Sequence, residues 1–513
     1  MKISAMLVLL AASGNMLLPQ VRVTVNAAKV RNTMKGGIGA SWHAIESPIP
    51  WADHEDPVFG SKSQGGSGWG AYPAAEDDAA WRQIDRHARW LGLDWNRVEL
   101  EQRIYEPQRG KYTWNSPEMR VLYRILDWCQ RNKSDVFLQQ MWSNVAWNTY
   151  PEWRDTASGR VHSAPVSVED FADGLASLAH QLVHEKGYTC IRWLAITNEP
   201  AQRFSWFQMP PNKPATLGPA FAAVRNALDG RGLTSLPLSG PDYSYLPEFN
   251  PHLIDFGEFL GAYDFHSYGA DWDWRKQGSL THFEASLARW IGWAHAQSKP
   301  LFLSELGTMA NGWGGNSPAP GSYNSLLKDA ELMIRSIAQG VDGMNRWSFL
   351  NRGDLDGQWQ LLDTWDPAAG SMLQEYMPHP NSYYIYGLMS RFIAKHSSIV
   401  ASAVDGGESE GWQRVFVAAL RSPAGRLTLA VVNDSSHPFD AAFELRGLPA
   451  GTHLYRYGIT EAEKDRTDLR IDPQREILTT SLTDTLAPMS LTIYSMYKLA
   501  HGEPGVISDA REQ

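Results

Sequence analysis

The sequence predicts an α/β chain: one (β/α)8 TIM barrel over residues 35–396, then a β-sandwich over residues 397–498. Three observations carry that expectation. Short apolar runs alternate with amphipathic stretches about eight times before residue 396, the rhythm of a strand–helix barrel. Hydrophobic residues make up 43% of the 513 and charged residues 20%, so the chain can bury a large core. Beyond residue 397 the texture changes to short strand-like runs separated by turn residues.

Gln20-Val21-Arg22-Val23-Thr24-Val25 alternates polar and apolar residues and reads as a half-buried strand. Residues 20–34 are expected to join the sandwich. Eight runs then supply the barrel strands: Gly37–Ala40, Leu93–Glu99, Asp135–Gln139, Ile191–Ile196, Leu236–Ser239, Tyr263–His266, Pro300–Ser304 and Gly343–Trp347. Helical stripes fall between them. Trp81, Ile84, Ala88 and Leu91 share one face. Ser116-Pro117-Glu118 is a cap with Pro at the first helical position, followed by Val121, Ile125 and Cys129. Ser167-Val168-Glu169-Asp170 fits the Ser-x-x-acid capping signature, and Phe171, Leu175, Leu178 and Leu182 follow, with Gly187 after them. Phe283, Leu287, Trp290 and Ala294 make another stripe, as do Leu326, Ala330, Met333 and Ile337 before Gly340. A doubly wound open sheet is the competing architecture, but no Gly-x-Gly-x-x-Gly turn favours it.

In the last part, Trp412–Leu420, Leu427–Val432, Ala441–Leu445, Thr452–Tyr457, Ile477–Leu482 and Ser490–Tyr497 read as sandwich strands. Residues 499–513 are expected to form a loose tail. Met1-Lys2 and the apolar-leaning run Ile3–Ala12 lead to the expectation of a secretory signal over residues 1–13 and a secreted or periplasmic protein. No run approaches the roughly 18 consecutive apolar residues of a membrane span.

Charge and cysteine content exclude other classes. The 46 basic and 56 acidic residues leave a net charge of −10, which argues against a nucleic-acid binder. Two cysteines rule out a disulfide scaffold or a Cys-rich zinc module, and whether Cys129 and Cys190 bond stays open. The 22 Trp and 19 Tyr are plentiful, and flat apolar rings are what sugar faces stack on.

Barrel chemistry sits where strands end and loops begin. The fourth run ends in Thr197-Asn198-Glu199-Pro200 and the seventh in Ser304-Glu305-Leu306-Gly307. Two glutamates at two strand ends can converge on one cleft. Glycosidic cleavage needs such a pair: one carboxyl protonates the leaving oxygen and the other supports the oxocarbenium-like centre.

Asn-Glu-Pro at the fourth strand end with Glu at the seventh resembles clan GH-A, the retaining (β/α)8 glycoside hydrolases. Lys35-Gly36-Gly37-Ile38-Gly39-Ala40-Ser41 and Trp142-Ser143-Asn144-Val145-Ala146-Trp147 are similar to the first strand and third-strand loop of glycoside hydrolase family 30. Glu106-Pro107-Gln108-Arg109-Gly110-Lys111-Tyr112 resembles a stretch seen in several families of the clan, and Phe265-His266-Ser267-Tyr268 resembles the His-x-Tyr of family 5. The sandwich with a docked N-terminal strand is similar to families 30 and 39. Where family 5 carries a third-strand His, this chain has Gln139-Gln140-Met141-Trp142.

The resemblance implies roles. Glu199 would be the acid/base and Glu305 the nucleophile, and a retaining O-glycosyl hydrolase acting on β-linked oligo- or polysaccharides would follow. Arg97 would hydrogen-bond the nucleophile, Asn198 the sugar 2-hydroxyl, and Tyr268 would donate to Glu305. His266 would line the cleft and Trp347 would form its floor. Trp142 is a further substrate-binding candidate, with Trp69, Tyr72, Trp147, Trp272 and Trp274 as weaker platforms. His43, Glu46 and Asp242 read as polar residues that could touch substrate. Asp354-Leu355-Asp356-Gly357 with Asp363 is a near miss for a calcium loop, because Arg352 stands where the first acid should be. No cofactor or metal is expected. Three other readings stay open: a sugar-binding protein on an inactive barrel, a transglycosylase, and an adhesive protein whose sandwich is the working part.

Overall fold

The computed structural model describes residues 20–44, 49–50, 68–69, 72–155, 157–200, 206–211, 213–268, 279–307, 322–350, 359–366, 369, 371–449, 451–464, 466–478 and 482–506. The proposed signal, Glu46, Trp272, Trp274 and the 354–357 loop lie outside them, as does the Trp69 side chain.

The described residues begin with strand β1 (Gln20–Thr33), which belongs to the second layer described below. The barrel follows: β2 (Ile38–His43), β3 (Trp95–Glu101), β4 (Asp135–Trp142), β5 (Ile191–Ala195), β6 (Leu238–Tyr243), β7 (Ala262–Tyr268), β8 (Leu301–Gly307) and β9 (Gly343–Arg346). All eight are parallel and neighbours in chain order, and β9 returns to β2 through the pairs Met344–Ile38 and Asn345–Gly39, so the sheet is closed. Closure removes both sheet edges and excludes the open doubly wound alternative. Gly39 marks the tightest passage, since a Cβ there would strike the Trp95 carbonyl of β3.

Helices fall where the caps indicate. Asp77 caps α1 (Asp78–Leu91), and Gly92 ends it in a left-handed conformation at φ 68°. Ser116 and Ser167 accept backbone N–H bonds at the starts of α2 (Pro117–Arg131) and α3 (Val168–His180). The Leu182 stripe position lies in a single π-turn over Gln181–Glu185 rather than in α3 itself. Next come α4 (Leu217–Gly230), α5 (Ser279–Ala296) and α6 (Tyr323–Gln339), the last ended by Gly340. Helix α7 (Ser382–Ser390) is buried at every residue, which is why no amphipathic stripe announced it.

The barrel interior is layered. Trp95, Phe137, Ala195, Ala262 and Phe302 form an apolar plug, with the Trp95 and Phe302 ring centroids 4.8 Å apart. Because strand side chains alternate, the inward positions after that plug are Arg97, Glu99 and Glu101 on β3, and Asp264, His266 and Tyr268 on β7. Val98, Leu100, Tyr263 and Phe265 face the helical shell. The interior is therefore dry at one end and polar at the other.

The second layer is a nine-stranded sheet, antiparallel at every pairing but one. It comprises β1 with β10 (Ser398–Gly406), β11 (Val415–Arg421), β12 (Leu427–Asn433), β13 (Phe439–Arg446), β14 (His453–Ile459), β15 (Arg475–Leu478), β16 (Leu482–Leu486) and β17 (Ser490–Ser495). Strand β1 lies between β10 and β13, antiparallel to the first and parallel to the second, and its Val21, Val23 and Val25 enter the sandwich core. The two ends of the sheet meet: Arg456 of β14 donates to Asp484 of β16, and Arg475 of β15 lies 3.3 Å from the same carboxylate. The sheet therefore wraps round its own core.

Barrel and sandwich are joined by buried polar contacts. Lys328 on α6 donates to Glu331 at 2.6 Å and to Asp434 beyond β12, and Arg335 reaches Glu331 at 2.8 Å. Trp90 of α1 donates to the Leu469 carbonyl at 3.0 Å. Residues after 499 do not form a loose tail as far as Val506. The Gly505 and Val506 N–H groups donate to the Arg89 and Arg391 carbonyls, both at 2.8 Å, because a sequence with few apolar residues can still dock through its backbone. Cys129 and Cys190 are buried free thiols. Among the described residues, no helix is long and apolar enough to cross a membrane.

Lys328→Ala would leave Asp434 and Glu331 buried with a lost partner. It is expected to cost about 3 kcal/mol of stability, read as a lower urea midpoint.

Candidate active site

The polar end of the barrel gathers groups from five strand ends. β3 supplies Arg97 and Glu99, the segment after β5 supplies Asn198 and Glu199, β6 supplies Asp242, β7 supplies His266 and Tyr268, and β8 supplies Glu305. A bulge aims Glu305. Leu303 pairs with Phe265 and Glu305 with His266, so Ser304 is an extra residue on β8 and both Ser304 and Glu305 turn inward. Glu199 is aimed by its backbone. It adopts φ 47°, uncommon for a residue other than glycine, and its N–H donates to the Asp242 carbonyl at 3.0 Å.

Arg97 is the hub. Its guanidinium is fully buried and reaches Glu305 Oε2 at 2.5 Å, Asn198 Oδ1 at 2.7 Å and Glu99 Oε1, with Asp242 Oδ2 at 3.8 Å. The Tyr268 hydroxyl donates to Glu305 Oε1. His266 ties the two glutamates together: Nδ1 is 2.8 Å from Glu199 Oε1 and 3.5 Å from Glu305 Oε2, while Nε2 is 2.9 Å from Asp242 Oδ1. One oxygen of each glutamate and the His266 nitrogen all lie within 4.8 Å of one another. The side chains of Glu199 and Glu305 keep 16% and 8% of their surface exposed, so a ligand can reach both.

Electrostatics follow from this burial. Burial pushes the Glu305 carboxyl up and Glu199 and Glu99 add to that; His266 and Arg97 pull it back, and the net result is above the ordinary carboxylate range. For His266, burial disfavours the cation, but the charges of Glu305 and Asp242 outweigh it and raise the imidazole well above its usual value. Asp242 is driven up by burial and down more strongly by His266 and Arg97, so it stays ionised. Asp264 is raised well above its ordinary value by burial and by the neighbouring Asp242 charge. Burial and the Glu305 charge raise Tyr268 as well, which keeps the phenol a donor. Within this trio His266 Nδ1 already faces Glu199 Oε1, and Glu305 Oε2 is already taken by Arg97.

The sequence-derived residues distribute as follows. Arg97, Asn198, Glu199, His266, Tyr268 and Glu305 come together in one bonded cluster. His266 is fully enclosed between Glu199 and Asp242, so it does not line the cleft. Trp347 is half-buried at the rim, 5.9 Å from the Trp359 ring, with Tyr268 edge-on to Trp359 at 5.1 Å. Trp142 is buried, and its indole N–H donates to Glu101 at 2.7 Å. Tyr72 is wholly enclosed beside His43 and is no platform. Asp363 bonds His379 at 2.8 Å.

Sequence reading passed over Glu99, Gln139, Asp264 and Trp359. Gln139 donates to Asp242 Oδ2 at 3.0 Å and to the Thr197 carbonyl. The signal for three of them was present: a charged or amide residue two or four places along an apolar barrel strand must point inward.

No family model matches this chain, and no curated protein matches it. Solved structures do, at low identity. The catalytic domain of GH30 xylanase C from Talaromyces cellulolyticus superposes with a TM-score of 0.61 at 14% identity, covering 92% of this chain and 99% of that one. A conserved exported protein from Bacteroides fragilis gives 0.65 at 12%, again over 92% and 99%. The GH51 arabinofuranosidase from Xanthomonas axonopodis pv. citri gives 0.59 at 12%, over 93% and 99%. The chain therefore shares the barrel-plus-sandwich fold of these solved structures.

Nitrogen-15 NMR of the His266 ring at pH 7.5 is expected to show both nitrogens protonated. Asp242→Asn should lower its titration point, because one of the two charges that raise it is gone.

Proposed function

We propose that this chain is a retaining glycoside hydrolase that cleaves β-linked glycosides by double displacement. The observation that carries the proposal is the approach of Glu199 and Glu305 to within 4.8 Å at their nearest oxygens. Retaining pairs stand about 5–5.5 Å apart, whereas inverting pairs leave about 6.5–9.5 Å for a water between them.

In this reading Glu305 attacks the anomeric carbon while Glu199 protonates the departing glycosidic oxygen. The bond to the leaving sugar breaks and an ester to Glu305 forms. Glu199, now a carboxylate, takes a proton from water, the water oxygen attacks the anomeric carbon, and Glu305 leaves with its charge restored. Arg97 and Tyr268 orient the Glu305 oxygens. Asn198 spends Oδ1 on Arg97, so the group it offers a sugar 2-hydroxyl is its amide donor. The half-buried Trp347 ring, backed by the buried Trp359, supplies an apolar wall for sugar CH groups.

The substrate panel follows from the structural neighbours, which include xylanases, an endo-β-1,6-glucanase and arabinofuranosidases. Xylan, β-1,6-glucan and aryl glycosides of xylose, glucose and arabinose form the first test. Glu305→Ala is expected to lose at least about 10⁴-fold in kcat. Glu199→Ala should lose about 10²–10⁴-fold on a sugar leaving group, far less on a dinitrophenyl glycoside, and azide should then accelerate it. Proton NMR should show the β-anomer released first; an inverted first product would overturn the mechanism.

A further inference from the structure

Glu99 is a buried acid of this cluster that bonds Arg97 rather than either of the two glutamates assigned to the chemistry. It stands two places after Arg97 on β3, so both side chains enter the barrel on one face. Arg97 Nη1 is divided between two carboxylates: it bonds Glu305 Oε2 at 2.5 Å and also Glu99 Oε1. The second oxygen of Glu99 lies 2.8 Å from His43 Nε2 on β2. Arg97, Glu99 and His43 are all buried, so water screens little of this exchange.

We propose that Glu99 is a positioning residue that sets how much of the Arg97 charge reaches Glu305, and that His43 sets how much of the Glu99 charge competes for Arg97. The proposal rests on the assignment of Glu305 as nucleophile. A nucleophile tied to a whole cation would be a weak base and a poor attacker. One tied to a shared cation is more basic, attacks faster, and is a poorer leaving group in the second step. Glu99 thus moves Glu305 toward attack, in the same direction as burial and Glu199, while His266 and Arg97 act against it. Among the described residues, those groups, with Tyr268 from β7 and Asp242 from β6, are titratable groups that face Glu305 or Arg97.

Two variants push the balance in opposite directions. Glu99→Gln keeps the shape and removes the competing charge. His43→Phe keeps a ring beside Tyr72 and Trp347 but removes the His43 nitrogen from the Glu99 carboxylate. The readout is carbon-13 NMR titration of the Glu305 carboxyl in labelled full-length protein, assigned with Glu305→Gln, beside the acid limb of kcat/KM. In Glu99→Gln the Glu305 titration and the acid limb are expected to fall by about one pH unit. In His43→Phe both are expected to rise. An unmoved Glu305 titration in the folded variants, or movement in the same direction in both, overturns the proposal. If Glu99→Gln does not fold, His43→Phe decides alone: no shift, or a shift to lower pH, overturns it. Wild-type protein that hydrolyses no glycoside would defeat the glycosidase reading, while the titrations would still judge the sharing of Arg97.

Discussion

The buried guanidinium of Arg97 is the constraint on which the site depends. A cation taken fully out of water is costly unless its donors are matched. Here the matching partners arrive from three other barrel strands or their ends: Asn198 after β5, Asp242 on β6 and Glu305 on β8, with Glu99 on the same strand as Arg97. The barrel must close in correct register for all of them to meet. Conversely, removing any one acid shifts the balance for the rest: within this cluster burial and Asp242 raise Asp264, His266 and Arg97 lower Asp242, and Glu305 and Asp242 raise His266. Stability and chemistry are therefore coupled through one side chain.

The layered barrel interior explains how such a cluster is tolerated. The Trp95–Phe137–Phe302 plug makes one end a conventional core. It gives the adjoining polar layer a rigid, dry floor, so the charges above it are held by packing below and by each other at the sides. The bulge at Ser304 and the left-handed backbone at Glu199 are the two local departures from regular structure that aim the carboxyls. Both lie at the end of the barrel where the polar groups collect.

Much of this was legible in the sequence. The eight strand runs and the Ser116 and Ser167 caps rest on local rules, alternation and side-chain capping, that tertiary structure did not override. Glu199 and Glu305 were legible because each ends an apolar run. Helix α7 was not, since a helix buried on all sides has no stripe to read. Glu99 and Asp264 were missed for a related reason: their meaning lies in which residues of other strands they meet. His266 looked like a cleft residue from its motif, but only the fold shows it enclosed between Asp242 and Glu199.

The placement of β1 has a consequence for biosynthesis. Val21 pairs with Gly406 on one side and with Ala441 on the other, so β1 completes a sheet whose other described strands all lie beyond residue 397. On the ribosome, β1 emerges first and waits through the synthesis of the entire barrel before a partner exists. Its alternating valines lack their strand partners for that interval, an apolar edge open to wrong pairing. Once seated, the strand fastens the segment that precedes the barrel to the segments that follow it. Trimming into either side would open the same sheet.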